Sequence, residues 1–207
     1  MKKVDIRVIK TKKAIENAFI EILGEKSFTK ITIEEICKKA NVNRMSFYNH
    51  YDDKYDLLND IMNNIKETLI GKFIEEVGAD FTEEKVVSVL METSEKIIDL
   101  GSKYKNYISM LISDGDNSLA QYIIYKSLEE STLELLTKLR EKYNLDKEPL
   151  PLMASFITGG GTSMILNWFE NREKYSRDEM IYFLNEFINA SLLVLHKISE
   201  KNSKKAQ

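Results

Sequence analysis

A chain of 207 residues with two prolines, eight glycines and one cysteine has room for one large domain or two small ones and cannot close an intrachain disulfide. Its 43% apolar content allows an ordinary buried core, and a formal net charge of −3 excludes binding to a polyanion through bulk positive charge, so any such contact must come from charge placement. Abundant Glu, Lys, Leu and Ile with few helix breakers predict an all-α protein.

The charge is uneven. Residues 1–60 hold twelve Lys/Arg against ten Asp/Glu, so the acidic excess lies beyond them. Lys2, Lys3, Arg7, Lys10, Lys12 and Lys13 form a basic leader, read either as an arm reaching a nucleic-acid backbone or as a solvated terminus. It lacks the apolar core of a signal peptide. A lone Cys37 fits a reducing cytoplasm.

In chain order, Ala14, Ile15, Ala18, Phe19, Ile22 and Leu23 lie on one stripe of a helix over residues 11–25. Thr32 followed by Glu35 reads as a capping box. Ile33, Ile36, Cys37 and Ala40 follow at helical spacing on a short helix, with Cys37 as a buried thiol. Asn41 suits a left-handed corner. Asn43 caps the next short helix, running to about Asn49, and Asp52 or Asp53 caps a long one carrying Leu57, Leu58, Ile61, Met62, Ile65 and Leu69. Further helices are predicted from about Thr82 to Leu100, Tyr104 to Ile112, Ser118 to Lys142, Pro149 to Glu170 and Ser176 to about Ile198. Breaks are expected at Gly78-Ala79-Asp80, Gly101-Ser102 and Ser113-Asp114-Gly115-Asp116, and a frayed tail after the last helix. The total is about nine helices and no strand. The expected division is a small three-helix domain over residues 1–53 and a larger helical bundle over 54–207.

Two short helices around a tight corner are the parts of a helix-turn-helix, which lays its second helix in a DNA major groove. The segment Asn43, Arg44, Met45, Ser46, Tyr48, Asn49, His50 supplies the side chains this needs. Arg44 can pair bidentately with guanine. Met45 and the Ser46 methylene can touch a thymine methyl, while Tyr48 and His50 are placed for phosphates. Asn43 reads first as a cap and second as a base reader. Phe47 and Tyr51 should face inward onto the first helix. Thr32 and Lys54 sit at helix N-termini, whose free N–H groups attract phosphates. A plain polar surface of an ordinary bundle is the competing reading.

These residues also carry a resemblance. Ala14…Ala18-Phe19, Phe28-x-x-Ile31-Thr32-Ile33-x-x-Ile36, Ala40-x-Val42 and Ser46-Phe47-Tyr48-x-His50-Tyr51-x-x-Lys54-x-x-Leu57-Leu58 resemble the N-terminal domain of TetR-family transcriptional regulators over residues 11–58. The resemblance implies DNA contacts from Thr32, Arg44, Met45, Ser46, Tyr48, Asn49, His50 and Lys54. Asn41 stands where that family usually has glycine, and Arg44-Met45 is a pair that varies in it, so the operator cannot be inferred. The family further implies a C-terminal ligand pocket and a homodimer through the last two helices. Gly159-Gly160-Gly161…Trp168…Asn171…Ser176…Glu179-Met180 is loosely similar to one C-terminal subgroup.

Three glycines within a helix cost about 1 kcal/mol each, which favours a close two-fold contact over a kink beside a cavity. The expected dimer surface is Gly159, Gly160, Gly161, Phe187 and Leu195. Tyr104, Tyr107, Met110, Tyr122, Tyr125, Met164 and Trp168 are the expected ligand-lining pool, and each also suits an ordinary core. Pro149 to Phe169 is uncharged for twenty-one residues, close to the about 20 a membrane span needs, but its polar residues and glycines favour a helix buried in protein.

Neither His50 nor His196 has a partner at metal-ligand spacing. Asp114-Gly115-Asp116 lacks the closing Glu of a calcium loop, since Tyr125 stands there. The glycine triplet has no phosphate-loop lysine. Glu34-Glu35 and Asp52-Asp53 suit helix starts. No metal, cofactor or enzymatic site is expected. The expected function is a cytoplasmic, homodimeric, ligand-responsive regulator of transcription, most simply a repressor, with double-stranded DNA, a second copy of itself and a small molecule as partners. The alternative is an adaptor that uses the same fold to dock a protein.

Overall fold

The computed structural model describes residues 6–77, 82–103, 118–140 and 145–205. Eight α-helices and one 3-10 turn occur among them, with no strand: α1 (Ile6–Leu23), the 3-10 turn Phe28–Lys30, α2 (Ile33–Ala40), α3 (Arg44–Tyr48), α4 (Lys54–Val77), α5 (Glu83–Lys103), α6 (Ser118–Leu139), α7 (Leu150–Glu170) and α8 (Arg177–Lys205). The expected all-α architecture and its approximate helix number are therefore correct. The chain divides into two compact units, Met1–Ile65 with Tyr104–Ile124, and Lys66–Lys103 with Tyr125–Gln207.

The first unit is organised by the apolar stripe of α1. Ile15, Ala18, Phe19, Ile22 and Leu23 are all buried, at the spacing that lines one helical face. They meet Phe28, Ile31, Ile36, Cys37, Phe47, Tyr51, Leu57, Leu58 and Ile61 in one core. Phe28 stands edge-on to Phe19 with centroids 5.9 Å apart and leans on Tyr55 at 4.9 Å. A small domain has little core to spare, so these rings carry much of its burial.

Local chemistry sets each helix end in this unit. Thr32 Oγ1 accepts from Glu35 N–H at 3.3 Å while the Glu35 carboxylate accepts from Thr32 N–H at 3.0 Å, so the capping box is complete. α2 stops at Asn41, which adopts φ 54°, ψ 44°. Val42 N–H then reaches back to the Cys37 carbonyl at 3.0 Å, the bond that closes a helix through a left-handed residue. Asn43 Oδ1 accepts from Ser46 N–H at 2.7 Å, and Asp53 Oδ1 accepts from Tyr55 and Asp56 N–H at 2.7 and 2.8 Å. The caps expected at Asn43 and Asp53 are those observed.

The second unit has its own core of Phe73, Val89, Leu136, Leu139, Leu145, Leu150, Ala154, Leu192 and Leu195. A two-pronged ion pair ties α5 to α8: Arg177 Nε and a terminal nitrogen donate to the two oxygens of Asp99 at 2.6 and 2.9 Å. Ser176 and Glu179 form a second capping box at the start of α8. The uncharged α7 satisfies its buried polar groups within the unit, with Thr158 and Thr132 hydroxyls bonded at 2.9 Å. No described helix is long and apolar enough to cross a membrane.

Three local expectations fail. α5 runs through Gly101-Ser102 to Lys103; one helical glycine costs only about 1 kcal/mol, and tertiary packing of α5 on α8 outweighs it. α8 continues to Lys205, because residues after Ile198 include neither Gly nor Pro and the Ser203 hydroxyl bonds back to the Ser199 carbonyl. The basic leader is helical from Ile6, so Arg7, Lys10, Lys12 and Lys13 belong to α1. The helix expected at 104–112 and the breaks at 78–80 and 113–116 lie outside the described residues.

Candidate nucleic-acid interface

α3 has five residues, too few to be stable by local bonding alone. It is held by its inward side chains. Phe47 is fully buried and Tyr51 nearly so, their rings 5.7 Å apart. The Tyr51 hydroxyl donates to Asp60 at 2.9 Å and to Glu16 at 3.4 Å. Lys12 completes this cluster, 2.8 Å from Asp60 and 5.3 Å from the Tyr51 ring centre. Burial, then the Asp60 charge, push the Glu16 carboxyl above its ordinary value, with the Tyr51 hydrogen bond and Lys12 opposing. Burial and the same two carboxylates push the Tyr51 phenol well up, so it remains a donor.

With its inner face fixed, α3 turns the rest of its surface outward. Met45 is 74% exposed and Tyr48 54% exposed; Asn43, Arg44 and Asn49 are exposed, and Ser46 and His50 half-buried. Tyr48 packs edge-on against Phe47 at 5.6 Å, which fixes its ring. Seven of the residues singled out in the sequence thus share one short segment, six of them on α3 or its caps. Asn43 spends its side-chain oxygen on the cap and keeps its amide donors.

Two further residues behave differently. Thr32 is exposed, yet its hydroxyl and N–H both bond to Glu35. Lys26 reaches the same carboxylate. These partners, Lys26 first and then Thr32, hold Glu35 down to about 2. Lys54, expected at a phosphate, instead donates to the carbonyls of Phe28, Thr29 and Ile31 at 2.8, 3.0 and 3.0 Å. An ammonium has three donors, and all three are engaged. In this conformation Lys54 serves the turn before α2. Burial lowers its pKa, with Asp53 pulling the other way.

One contact was not foreseen. A terminal nitrogen of Arg44 donates to Glu34 of α2 at 2.5 Å, both side chains being largely exposed. Ten positions of separation across a corner give no periodic signal by which sequence reading finds such a pair. Cys37 is buried as expected, and desolvation raises its pKa with the Arg44 charge opposing.

The remaining expected sites are dispersed. Tyr104, Tyr107 and Met110 lie outside the described residues. Tyr122 is exposed, Met164 half-buried, and Tyr125 half-buried with its hydroxyl 3.4 Å from the Ser155 carbonyl. Trp168 is buried, its indole N–H donates to the Tyr175 carbonyl at 3.0 Å, and Arg172 lies 4.6 Å from its ring centre. A shallow depression along α5, lined by Val87, Ser88, Met91, Glu92 and Glu95 among others, includes none of the expected aromatic residues.

Leu195 is 3% exposed and packs within the second core. Phe187 is 61% exposed. A Cβ at Gly160 or Gly161 would meet nothing within 4 Å, so packing inside the subunit does not require these glycines.

Two sequence families match. The one described as "Bacterial regulatory proteins, tetR family" matches residues 17–61, and "Transcriptional regulator C-terminal region" matches 89–190. The chain is 43% identical over 58 residues to an "Uncharacterized HTH-type transcriptional regulator YxbF" of Bacillus subtilis (strain 168), a segment covering 28% of this chain and 15% of that one. Among solved structures, a putative TetR-family transcriptional regulator from Syntrophomonas wolfei superposes with a TM-score of 0.67 at 16% identity, covering 89% of this chain and 96% of that one. The Thermus thermophilus FadR repressor, solved with lauroyl-CoA, gives a TM-score of 0.60 at 21% identity, with 89% and 92% covered. At these identities the two structures speak to the fold.

Proposed function

This chain belongs to the TetR family of transcriptional regulators, and from that premise we propose that it is a ligand-responsive repressor acting as a homodimer on a palindromic operator. The first unit is the DNA-reading head, and the second holds the effector and the partner subunit. The observation that carries the reading is the two-sidedness of α3: Phe47 and Tyr51 anchor it in the core, while Arg44, Met45, Tyr48 and Asn49 are outward.

Each side chain then has a task. Arg44 reads a guanine edge, and Met45 with the Ser46 methylene meets thymine methyls. Tyr48, Asn49 and His50 contact phosphates and fix the register. Asn43, while capping, offers its amide to a neighbouring base or phosphate. Thr32 contributes the N-terminus of α2. Two heads of a dimer engage half-sites about 34–36 Å apart.

Support for the dimer comes from α7 and α8. Leu152, Phe156 and Gly160 recur every fourth residue on α7, the first two 75% and 82% exposed, and residues at that spacing share a face. On α8, Phe183, Phe187, Leu193 and Val194 are exposed. Isolated monomers seldom leave so many large apolar groups in water. A self-complementary surface on these two helices covers them in a two-fold dimer.

A small molecule held by the second unit, with Tyr125 and Met164 as lining groups, alters operator affinity only through its different affinity for the two dimer geometries. FadR, solved with lauroyl-CoA, makes an effector with a long acyl chain on a charged head the first class to try. The protein acts in the cytoplasm, where Cys37 remains a thiol.

A gel-shift titration against the region upstream of its own gene tests this. Binding that falls steeply with salt supports it. Absence of binding to any duplex favours the adaptor.

A further inference from the structure

We propose that Glu34 is a specificity-determining residue: its carboxylate holds Arg44 for guanine and penalises every duplex that pulls Arg44 away. The inference rests on the duplex-binding reading above. Glu34 lies in the first turn of α2 and its side chain is 73% exposed, beside the outward face of α3. A carboxylate beside phosphates repels them, so it should weaken binding to DNA of any sequence.

The pairing with Arg44 resolves this. Glu34 takes one donor from a terminal guanidinium nitrogen. Arginine carries five donors in a rigid fork, and guanine O6 and N7 need two of them. Glu34 can therefore keep its hold on one edge of the fork while another edge meets guanine. The long arginine side chain is then already oriented, which lowers the entropy lost on forming the base contact. At a sequence without guanine in that position, the nearest acceptor for Arg44 is a phosphate. Moving there strands the Glu34 carboxylate, unpaired, against the polyanion. The same residue thus favours the matching duplex and disfavours the others, and specificity is the difference between the two.

The test uses the full chain and a randomised duplex pool. Wild-type protein is taken through rounds of selection, and affinities for the enriched duplex and for poly(dA-dT), which offers no O6/N7 acceptor pair, are measured across a salt series. Glu34→Gln is near-isosteric and leaves the Thr32–Glu35 capping box intact, and a thermal melt confirms its folding. The expected result is tighter binding of E34Q to poly(dA-dT), little change on the enriched duplex, and a fall of about threefold in their ratio, the scale of one exposed ion pair. In an Arg44→Ala background, E34Q should leave the ratio unchanged. An unaltered ratio in the single variant, or an equal fall in the Arg44→Ala background, overturns the inference while the duplex-binding reading stands. Wild-type protein that enriches no sequence removes both.

Discussion

The ammonium of Lys54 lies 4.7 Å from the centre of the Phe28 ring and 2.8 Å from the Phe28 carbonyl. One charge at the start of α4 thereby caps the 3-10 turn that delivers the chain to α2. Lys54→Met removes three hydrogen bonds from charged donor to carbonyl and leaves those carbonyls to water or to no partner. The expected loss is about 1–3 kcal/mol of stability. Exposed Lys38→Met, by contrast, should change it by no more than about 0.5 kcal/mol. Denaturant melts of the two variants check this, and equal midpoints would remove the capping role.

Phe47 tests whether α3 depends on its buried side. It is fully buried, and Phe47→Ala should cost about 3–5 kcal/mol. Asn43→Ala, which removes only the cap, should cost about 1 kcal/mol. In hydrogen exchange, Asn43→Ala should loosen the amides of α3 alone, whereas Phe47→Ala should expose amides throughout the first core. The reverse order of effects would contradict the packing described.

Glu35 gives the first unit a dependence on acid. Its carboxyl sits at about 2 in the folded protein against an ordinary 4.5. A carboxyl depressed by folding stabilises the fold above its unfolded value, and that contribution is lost as pH falls through the folded value. Wild type should therefore melt above Glu35→Gln at about pH 7, with the gap closing between about pH 4.5 and about pH 2. A gap that holds constant through this window would mean that the carboxylate contributes nothing through its charge.

The dimer surface can be tested without DNA. Phe156→Glu and Phe187→Glu each place a charge on a largely exposed position, so the subunit should stay folded. In an interface core the same charge is buried without a partner and costs several kcal/mol. Sedimentation should convert from dimer to monomer in both variants, while Leu195→Glu should unfold the subunit. A wild-type monomer at micromolar concentration would contradict the proposed assembly.

Much of the first unit was legible because its signals are local. The capping box at Thr32–Glu35, the left-handed Asn41, the Asn43 cap and the inward Phe47 and Tyr51 each follow from a few neighbouring residues, and each is found. The bonds of Lys54 were not legible because its partners Phe28, Thr29 and Ile31 lie more than twenty positions away, beyond what helical spacing encodes. Glu34 went unnoticed for a similar reason: a glutamate at a helix start already has an explanation in the dipole, which concealed its partner on α3. In the second unit, aromatic content could not separate lining from core. Trp168 turned out to hold the α7–α8 corner through Tyr175 and Arg172, a contact that only tertiary structure reveals. Leu195 could not be told from Phe187, because α8 carries large apolar residues on its buried side (Leu192, Leu195) and its exposed side (Phe183, Phe187, Leu193, Val194) alike.

The central claim is that the outward side of α3 reads duplex DNA. Its most direct test is fluorescence anisotropy of a labelled fragment from upstream of the gene, titrated with wild type, Arg44→Ala and Tyr48→Ala at two salt concentrations. The account predicts salt-sensitive binding by wild type, a loss of about 1–3 kcal/mol for Arg44→Ala with relaxed sequence choice, and a sequence-independent loss for Tyr48→Ala. Fragments left unbound by wild type, or bound equally by all three proteins, would contradict it.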